Sequence, residues 1–452
     1  MTLNRCLVLG LGVAVLLLAA VTPVQAAGFG IFEHGTKAMG MSSAFTAQAD
    51  DPSAMFFNAA GIAFQHERDF MLGLTYIFST EADFQGAAPY PGPNVTEEQE
   101  KLSAFPPHFY WVEPINDRMT FGLGINAPFG LSTEWKGKDD FTGRYVSTFT
   151  ALQAVDINPT LGWMATDNFG IGVGLIGRFS DVELQSRSFL NIGVNPNPPC
   201  LDPDVSHPLC GPEFAASTIE GGYDFGYGFN FGILHKYNNS FSWGFSYRSG
   251  ISVEYDGDLM MTQILTGIPP IDGGLGAVLP FGETLSGKTE IDFPDIASLG
   301  FHFMASPVLG FEVDINWAGW SSFDTLVIQV DSPPRPDNGE PAVPDIVRPQ
   351  NWDDSYNYRL GVHWNSSEAS QWRFGYVYDE TPQPTPGASP LLPDANRNGF
   401  TFGYGHEGSG MSYDLAVMYL PFDSKTVSGE SDNFYFGEYN QTAWLVGFSL
   451  GF

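Results

Sequence analysis

The sequence predicts an all-β fold, a transmembrane antiparallel β-barrel of about fourteen strands with an N-terminal plug in its lumen. Three observations carry it. Bulky apolar residues alternate with small or polar ones in segment after segment, the connections between these segments alternate short and long, and no later stretch reaches the ~18 apolar residues of a spanning helix. A chain in a membrane without such helices crosses it as a closed barrel.

The first element is expected to be removed. Residues 1–26 read as a secretory signal, with Arg5 in the positive region, an apolar core over 7–21 and the small-residue site Val24-Gln25-Ala26. Cys6 lies inside it without a lipoprotein context, which leaves Cys200 and Cys210 in the stretch "NPNPPCLDPDVSHPLCG". An exported chain passes through an oxidising compartment, so a loop disulfide is the expectation. Metal binding by the two thiolates with His207 between them is the alternative.

Residues 27–66 form the second element. "AGFGIFEHGTKAMGMSSAFTAQADDPSAMFFNAAGIA" is partly helical in pattern, nowhere strand-like, and too apolar to float in solvent. The barrel lumen is the place for it, as a plug.

The barrel follows over 67–452. Tyr223, Phe225, Tyr227, Phe229, Phe231 and Ile233 are bulky with small or polar residues between them, and Phe311, Val313, Ile315 and Trp317 are opposed by Glu312, Asp314 and Asn316. Strands are expected near 70–80, 105–113, 119–127, 147–165, 169–189, 216–237, 240–262, 288–305, 307–330, 352–365, 369–379, 398–407, 410–420 and 442–452. Turns such as "TDN", "NN" and "EGSG" follow the even strands; long Pro-, Gly- and Asp-rich loops follow the odd ones. Short periplasmic turns and long external loops are what an outer-membrane barrel requires. The strands between 169 and 330 exceed the ~9–11 residues needed to cross, so they should project outward.

Composition narrows the partners. The chain has 452 residues, of which 15% are aromatic, 15% charged and 52 are Gly, and its net charge is −32. With only 19 Lys and Arg and no basic run, nucleic acid is excluded as a partner. The acid lies largely in loops such as "VDSPPRPDNGEPAVPD", where it keeps an exterior solvated.

The chain ends in "AWLVGFSLGF", the closing strand, with Trp444, Val446, Phe448, Leu450 and Phe452 on one face. That face is expected to meet lipid, and the terminal Phe452 resembles the signal read by the barrel-insertion machinery. Outer-membrane lipid and lipopolysaccharide are the other expected partners, with the chain a monomer.

"KAMGMSSAFTAQADDPSAMFFNAAGIA" resembles the N-terminal hatch of the FadL-type outer-membrane transporters of long-chain fatty acids and hydrocarbons. "NAPFGLSTEWKGKDDFTGRYVSTFTALQAVDINPTLGW" and "PLLPDANRNGFTFGYGH" extend the resemblance over the whole mature chain. It implies fourteen strands, capture of a hydrophobic ligand by external loops, hatch rearrangement, and lateral release beside a kinked third strand. Phe29 matches the family's apolar N-terminus, which reaches into the binding pocket. The family's Asn-Pro-Ala is here Asn58-Ala59-Ala60-Gly61, which frees one φ and restores a backbone donor in the gate. The family's Asp before Arg is Asn396.

Pro128 ends the predicted third strand. It either opens the seam, since proline cannot donate to the ladder, or merely stops the strand. For a carboxylate ligand, a buried cation helps, because charge-assisted hydrogen bonds exceed neutral ones. Alternation points Arg178, Arg248, Arg359 and Arg373 into the lumen, each either a headgroup partner or the mate of an inward acid such as Glu312 or Asp314.

Other motifs fail. "GVGLIG" fits a dinucleotide fingerprint but lies within one alternating strand, and "DANRNG" lacks the twelfth-position Glu of a calcium loop. No HExxH or GxSxG occurs, and His363 is expected to be one inward polar residue among many. The chain is therefore read as a transporter and not an enzyme, without cofactor or metal. A general porin or an adhesin is the competing reading.

Overall fold

The computed structural model describes residues 28–190 and 211–452, so the signal segment, Cys200 and Cys210 lie outside the described residues. Fourteen strands close the wall. They are β1 (Asp69–Gly86), β2 (Pro107–Asn116), β3 (Met119–Glu134), β4 (Phe149–Thr166), β5 (Phe169–Phe189), β6 (Glu213–Asn238) and β7 (Phe241–Arg248). The second half comprises β8 (Ile296–Ser306), β9 (Leu309–Ala318), β10 (Ser355–Asn365), β11 (Ser370–Asp379), β12 (Arg397–Glu407), β13 (Ser412–Pro421) and β14 (Gly437–Gly451). Each pairs antiparallel with the next.

The seam joins β14 to β1, from Met71↔Gly451 to Gly86↔Gly437. Phe452 extends it, its N–H donating to Phe70 O at 2.9 Å while Phe70 N–H donates to Phe452 O at 3.2 Å. Closure leaves neither β1 nor β14 with an unpaired edge along this seam, which is what allows a sheet to sit in lipid. Leu74, Val173, Phe229, Phe301, Phe374 and Phe448 point outward and are exposed.

Three predicted strands are interrupted, among them 307–330, where β9 stops at Ala318 and a separate strand, Thr325–Val330, follows a 3-10 turn over Trp320–Ser322. Where 240–262 and 288–305 read as continuous, the chain breaks at Ser249–Gly250 and at Pro294–Asp295, and Gly250 N–H turns to Asp295 Oδ1 at 2.8 Å. Proline has no donor for the ladder, so the break falls there. Beyond it, Ile251–Gln263 and Thr284–Phe293 pair as an outer hairpin tipped by the exposed helix α3 (Pro269–Val278). The third strand also differs from expectation: it continues past Pro128 to Glu134, so the strand-ending reading of that proline is corrected.

The segment before β1 fills the lumen with α1 (Thr36–Met39), α2 (Ala54–Phe57) and a 3-10 turn over Ala59–Phe64. Four-residue helices have no stability of their own; the wall holds them. Asp314 Oδ2 accepts from Phe45 N–H and Thr46 N–H, both at 2.9 Å, and Glu312 Oε1 accepts from Ala47 N–H at 2.6 Å. Inward glycines leave room for this backbone. A Cβ on Gly172 would lie 2.1 Å from Ala59 C, and one on Gly232 2.1 Å from Asn58 Oδ1. The fingerprint-like "GVGLIG" is thus a close approach between wall and plug.

Candidate functional site

Gly28 begins the described chain in the left-handed region at φ 54°, where a Cβ would meet Trp352 at 2.6 Å and Trp320 at 2.7 Å. The next residue, Phe29, is 1% exposed and sits in an aromatic box. Its ring centroid lies 4.6 Å from Trp320, 5.4 Å from Phe323, 5.7 Å from Trp352, 5.8 Å from Phe293 and 6.0 Å from Phe129. Most contacts are edge-to-face, the arrangement in which ring quadrupoles attract. Apolar residues of the wall and loops, among them Leu131, Ile176 and Val253, continue the cluster.

Beside this box the wall is open. β2 and β3 pair from Asn116↔Met119 to Phe109↔Ile125 and then stop, and β3 next meets that side of the wall at the isolated bridge Gln99↔Trp135. Against β4, β3 bulges between Asn126 and Phe129, so Ala127 and Pro128 together face one partner. A bulge of this kind re-aims the strand and ends pairing on one side. The freed β3 edge is taken by the N-terminal segment: Ile31 N–H donates to Pro128 O at 2.8 Å and Gly130 N–H to Phe29 O at 2.9 Å. Phe29 therefore fills the box while its own backbone occupies the edge beside the break.

The arginines occupy distinct settings. Arg178 is held by Asp156 through Nε at 2.8 Å and Nη2 at 2.9 Å, and its guanidinium lies 4.5 Å from the ring of Phe129 and 4.6 Å from that of Phe293. Arg248 shares Asp156 at 3.1 Å, so two cations face one carboxylate. Arg359 donates to Ser42 O and Asn357 Oδ1, each at 2.8 Å, and binds the plug. Arg373 pairs with Asp414. None of these four is ion-paired with Glu312 or Asp314, each of which gives one carboxylate oxygen to plug amides.

One cation escaped the alternation argument because it lies in an external segment. Arg348, in the short strand Ile346–Pro349 above the barrel, donates from Nη1 to Val146 O at 2.9 Å and forms no ion pair among the described residues. Burial alone lowers its pKa to about 10. The available signal was composition: in an acidic chain, an arginine set between apolar Val347 and Pro349 is unusual. Trp320, Phe323 and Trp352 fall inside the expected strands 307–330 and 352–365, whereas the structure places all three outside the wall strands, so periodicity gave no signal for them.

In the plug, Asn58 Nδ2 donates to Thr46 O at 2.8 Å and to Ile233 O at 3.0 Å, and its Oδ1 caps the 3-10 turn at Ala60 N–H, 3.1 Å away. Ala59, Ala60 and Gly61 follow as that turn's first residues, packed on the wall glycines. On the periplasmic side lies a polar vestibule of about 910 Å³, lined in part by Lys37, Asp50, Asp51, Arg373, Asp414 and the terminal Phe452.

A closed, plugged barrel with an apolar box against a break in its wall defines a transport protein of the outer membrane. The chain matches, over residues 16–452, the family described as "Outer membrane protein transport protein (OMPP1/FadL/TodX)", and it belongs to that family. The family is one of transporters. A curated relative, the long-chain fatty acid transport protein of an Escherichia coli strain, is 25% identical, with 98% of this chain and 97% of the relative covered. Among solved structures, a Pseudomonas aeruginosa FadL homologue superposes with a TM-score of 0.77 at 21% identity, covering 94% of this chain and 99% of that one. The Ralstonia pickettii toluene transporter TbuX gives 0.63 at 16% identity, covering 92% and 97%. These likenesses establish the fold.

Proposed function

We propose that this protein takes up hydrophobic molecules by letting a ligand replace Phe29 in the aromatic box and leave sideways through the break between β2 and β3. The observation that carries this reading is that one segment does both jobs: Phe29 fills the box, and its backbone hydrogen-bonds the freed edge of β3. Withdrawal of Gly28–Ile31 empties the box and uncovers the wall in one movement. The downward route would take an apolar solute past the Lys37–Asp50 and Arg373–Asp414 pairs, which water-facing polar groups make unfavourable for it.

Arg348 is the proposed headgroup partner for ligands that carry a carboxylate. Its remaining donors are uncommitted, whereas Arg178, Arg248 and Arg373 already hold acids and Arg359 the plug. Residues 1–26 act as the export signal, residues 27–66 as the hatch, and Phe452 as the insertion signal. The protein works as a monomer among lipid and lipopolysaccharide, transports, and catalyses nothing. Uptake of labelled oleate and labelled toluene by cells lacking their own hydrophobic transporter tests the function. Saturable uptake of either, lost on Phe29→Glu, is expected; uptake of neither would sink it.

A further inference from the structure

Three wall strands bring soft donor atoms together over a residue that has no side chain. Met304 on β8, Gly310 on β9 and His363 on β10 stand in register, each beside the next. A Cβ on Gly310 would lie 1.9 Å from His363 Nε2 and 2.8 Å from Met304 Sδ, so only glycine lets the two side chains meet above it. His363 Nε2 stands 3.4 Å from Met304 Sδ. His302, two residues before Met304 and on the same face of β8, sets its ring 5.4 Å from that of His363 at an interplanar angle of 77°. Its Nε2 is buried and has no hydrogen-bond partner.

We propose that His302, Met304 and His363 form a binding site for Cu(I). The donor set argues for it: imidazole and thioether together favour a soft, monovalent coinage metal, and a hard cation such as Mg²⁺ or Ca²⁺ finds no oxygen cage here. So does the spacing. A metal ~2.0 Å from nitrogen and ~2.3 Å from sulfur, with a tetrahedral angle between them, separates the two donors by about 3.5 Å and sets two imidazole centroids about 5 Å apart. No group of three His, Cys, Asp or Glu side chains among the described residues is placed to hold a metal, so the thioether is what completes the set.

Entry is from the periplasmic vestibule. Gln371 lines that space, and its Nε2 faces His363 Nδ1 at 3.3 Å. A neutral imidazole that gives Nε2 to a metal carries its proton on Nδ1. Gln371 then turns its amide so that Oε1 accepts a hydrogen bond from Nδ1–H, releasing the bond that Oε1 now takes from Arg373 Nε at 2.6 Å and the one that Nε2 gives to Asn365 Oδ1 at 2.7 Å. The metal enters already reduced, so no electron is transferred.

The test uses the full-length protein in detergent, titrated with Ag⁺ as a redox-inert surrogate and with Cu(I) against a chromogenic chelator. Wild type should bind one equivalent that weakens at least tenfold in both Met304→Leu and His363→Gln, while Zn²⁺ binds at least tenfold more weakly than Ag⁺. Met304→Leu nearly conserves volume, and heat-modifiable gel mobility shows that the barrel has folded. All proteins compared, wild type included, carry Cys200→Ser and Cys210→Ser, so thiolate binding of Ag⁺ or Zn²⁺ does not enter the stoichiometry or the comparison. Equal binding by wild type and Met304→Leu overturns the proposal, as does Zn²⁺ binding as tight as that of Ag⁺.

Discussion

Gly28 donates its backbone N–H to a carboxylate oxygen of Asp394 at 3.2 Å, joining the start of the described chain to an external loop 366 residues later. The same oxygen accepts from the Thr381 hydroxyl. Burial is the largest influence on this carboxyl and raises its pKa to about 6, against the opposing pull of Arg397 and its hydrogen bonds. Withdrawal of Gly28–Ile31 admits water to the group and returns it toward the ordinary value near 4.

A pH dependence with a definite sign follows. The closed state holds its proton up to about pH 6 and the open state only to about pH 4, so acid favours closure between these values. Binding of a neutral fluorescent hydrocarbon should weaken about tenfold from pH 8 to pH 5, and Asp394→Asn should flatten the curve. A neutral probe keeps the ligand's own titration out of the measurement. An unchanged slope in the variant would remove Asp394 from the gate.

Arg348→Met should separate ligand classes. It removes the guanidinium that donates to Val146 O and leaves the aromatic box intact. A charge-assisted bond is worth ~1.5–3 kcal/mol, which corresponds to a rise in oleate Kd of about tenfold or more, with toluene uptake unchanged. Equal losses for both would mean that the substitution disturbed the outer loops instead.

Gly232→Val should unseat the plug. Any Cβ there would lie 2.1 Å from Asn58 Oδ1 and 2.9 Å from Ala60 N, so the 3-10 turn loses its seat on β6. Planar-bilayer recordings should show frequent large openings where wild type is closed, while the barrel still migrates as folded.

Phe448→Lys should destabilise the barrel itself. Phe448 faces outward, in register with Leu74 on β1 and Leu415 on β13. A lysine on a lipid-facing position costs about 2–4 kcal/mol at the midplane and less near an interface. Urea unfolding in lipid vesicles measures it, and no change would place position 448 at the interface.

The sequence by itself determined the wall. Alternation needs only that every second residue face lipid, a local rule, so the strands, the turns between them and the inward glycines were all legible. It misjudged strands where one proline or one acid decides: the breaks at Pro294 and Gly250, and the continuation past Pro128, depend on partners elsewhere in the chain.

Tertiary structure decided everything that joins distant segments. Alternation pointed four arginines inward without showing that Asp156 serves two of them, or that Glu312 and Asp314 hold plug amides. Phe29 was legible as a pocket residue only through family resemblance; its box is assembled from β3, residues 293–323 and Trp352. The physical reason is that periodicity records which face a residue takes, whereas a site depends on which faces meet once the barrel has closed.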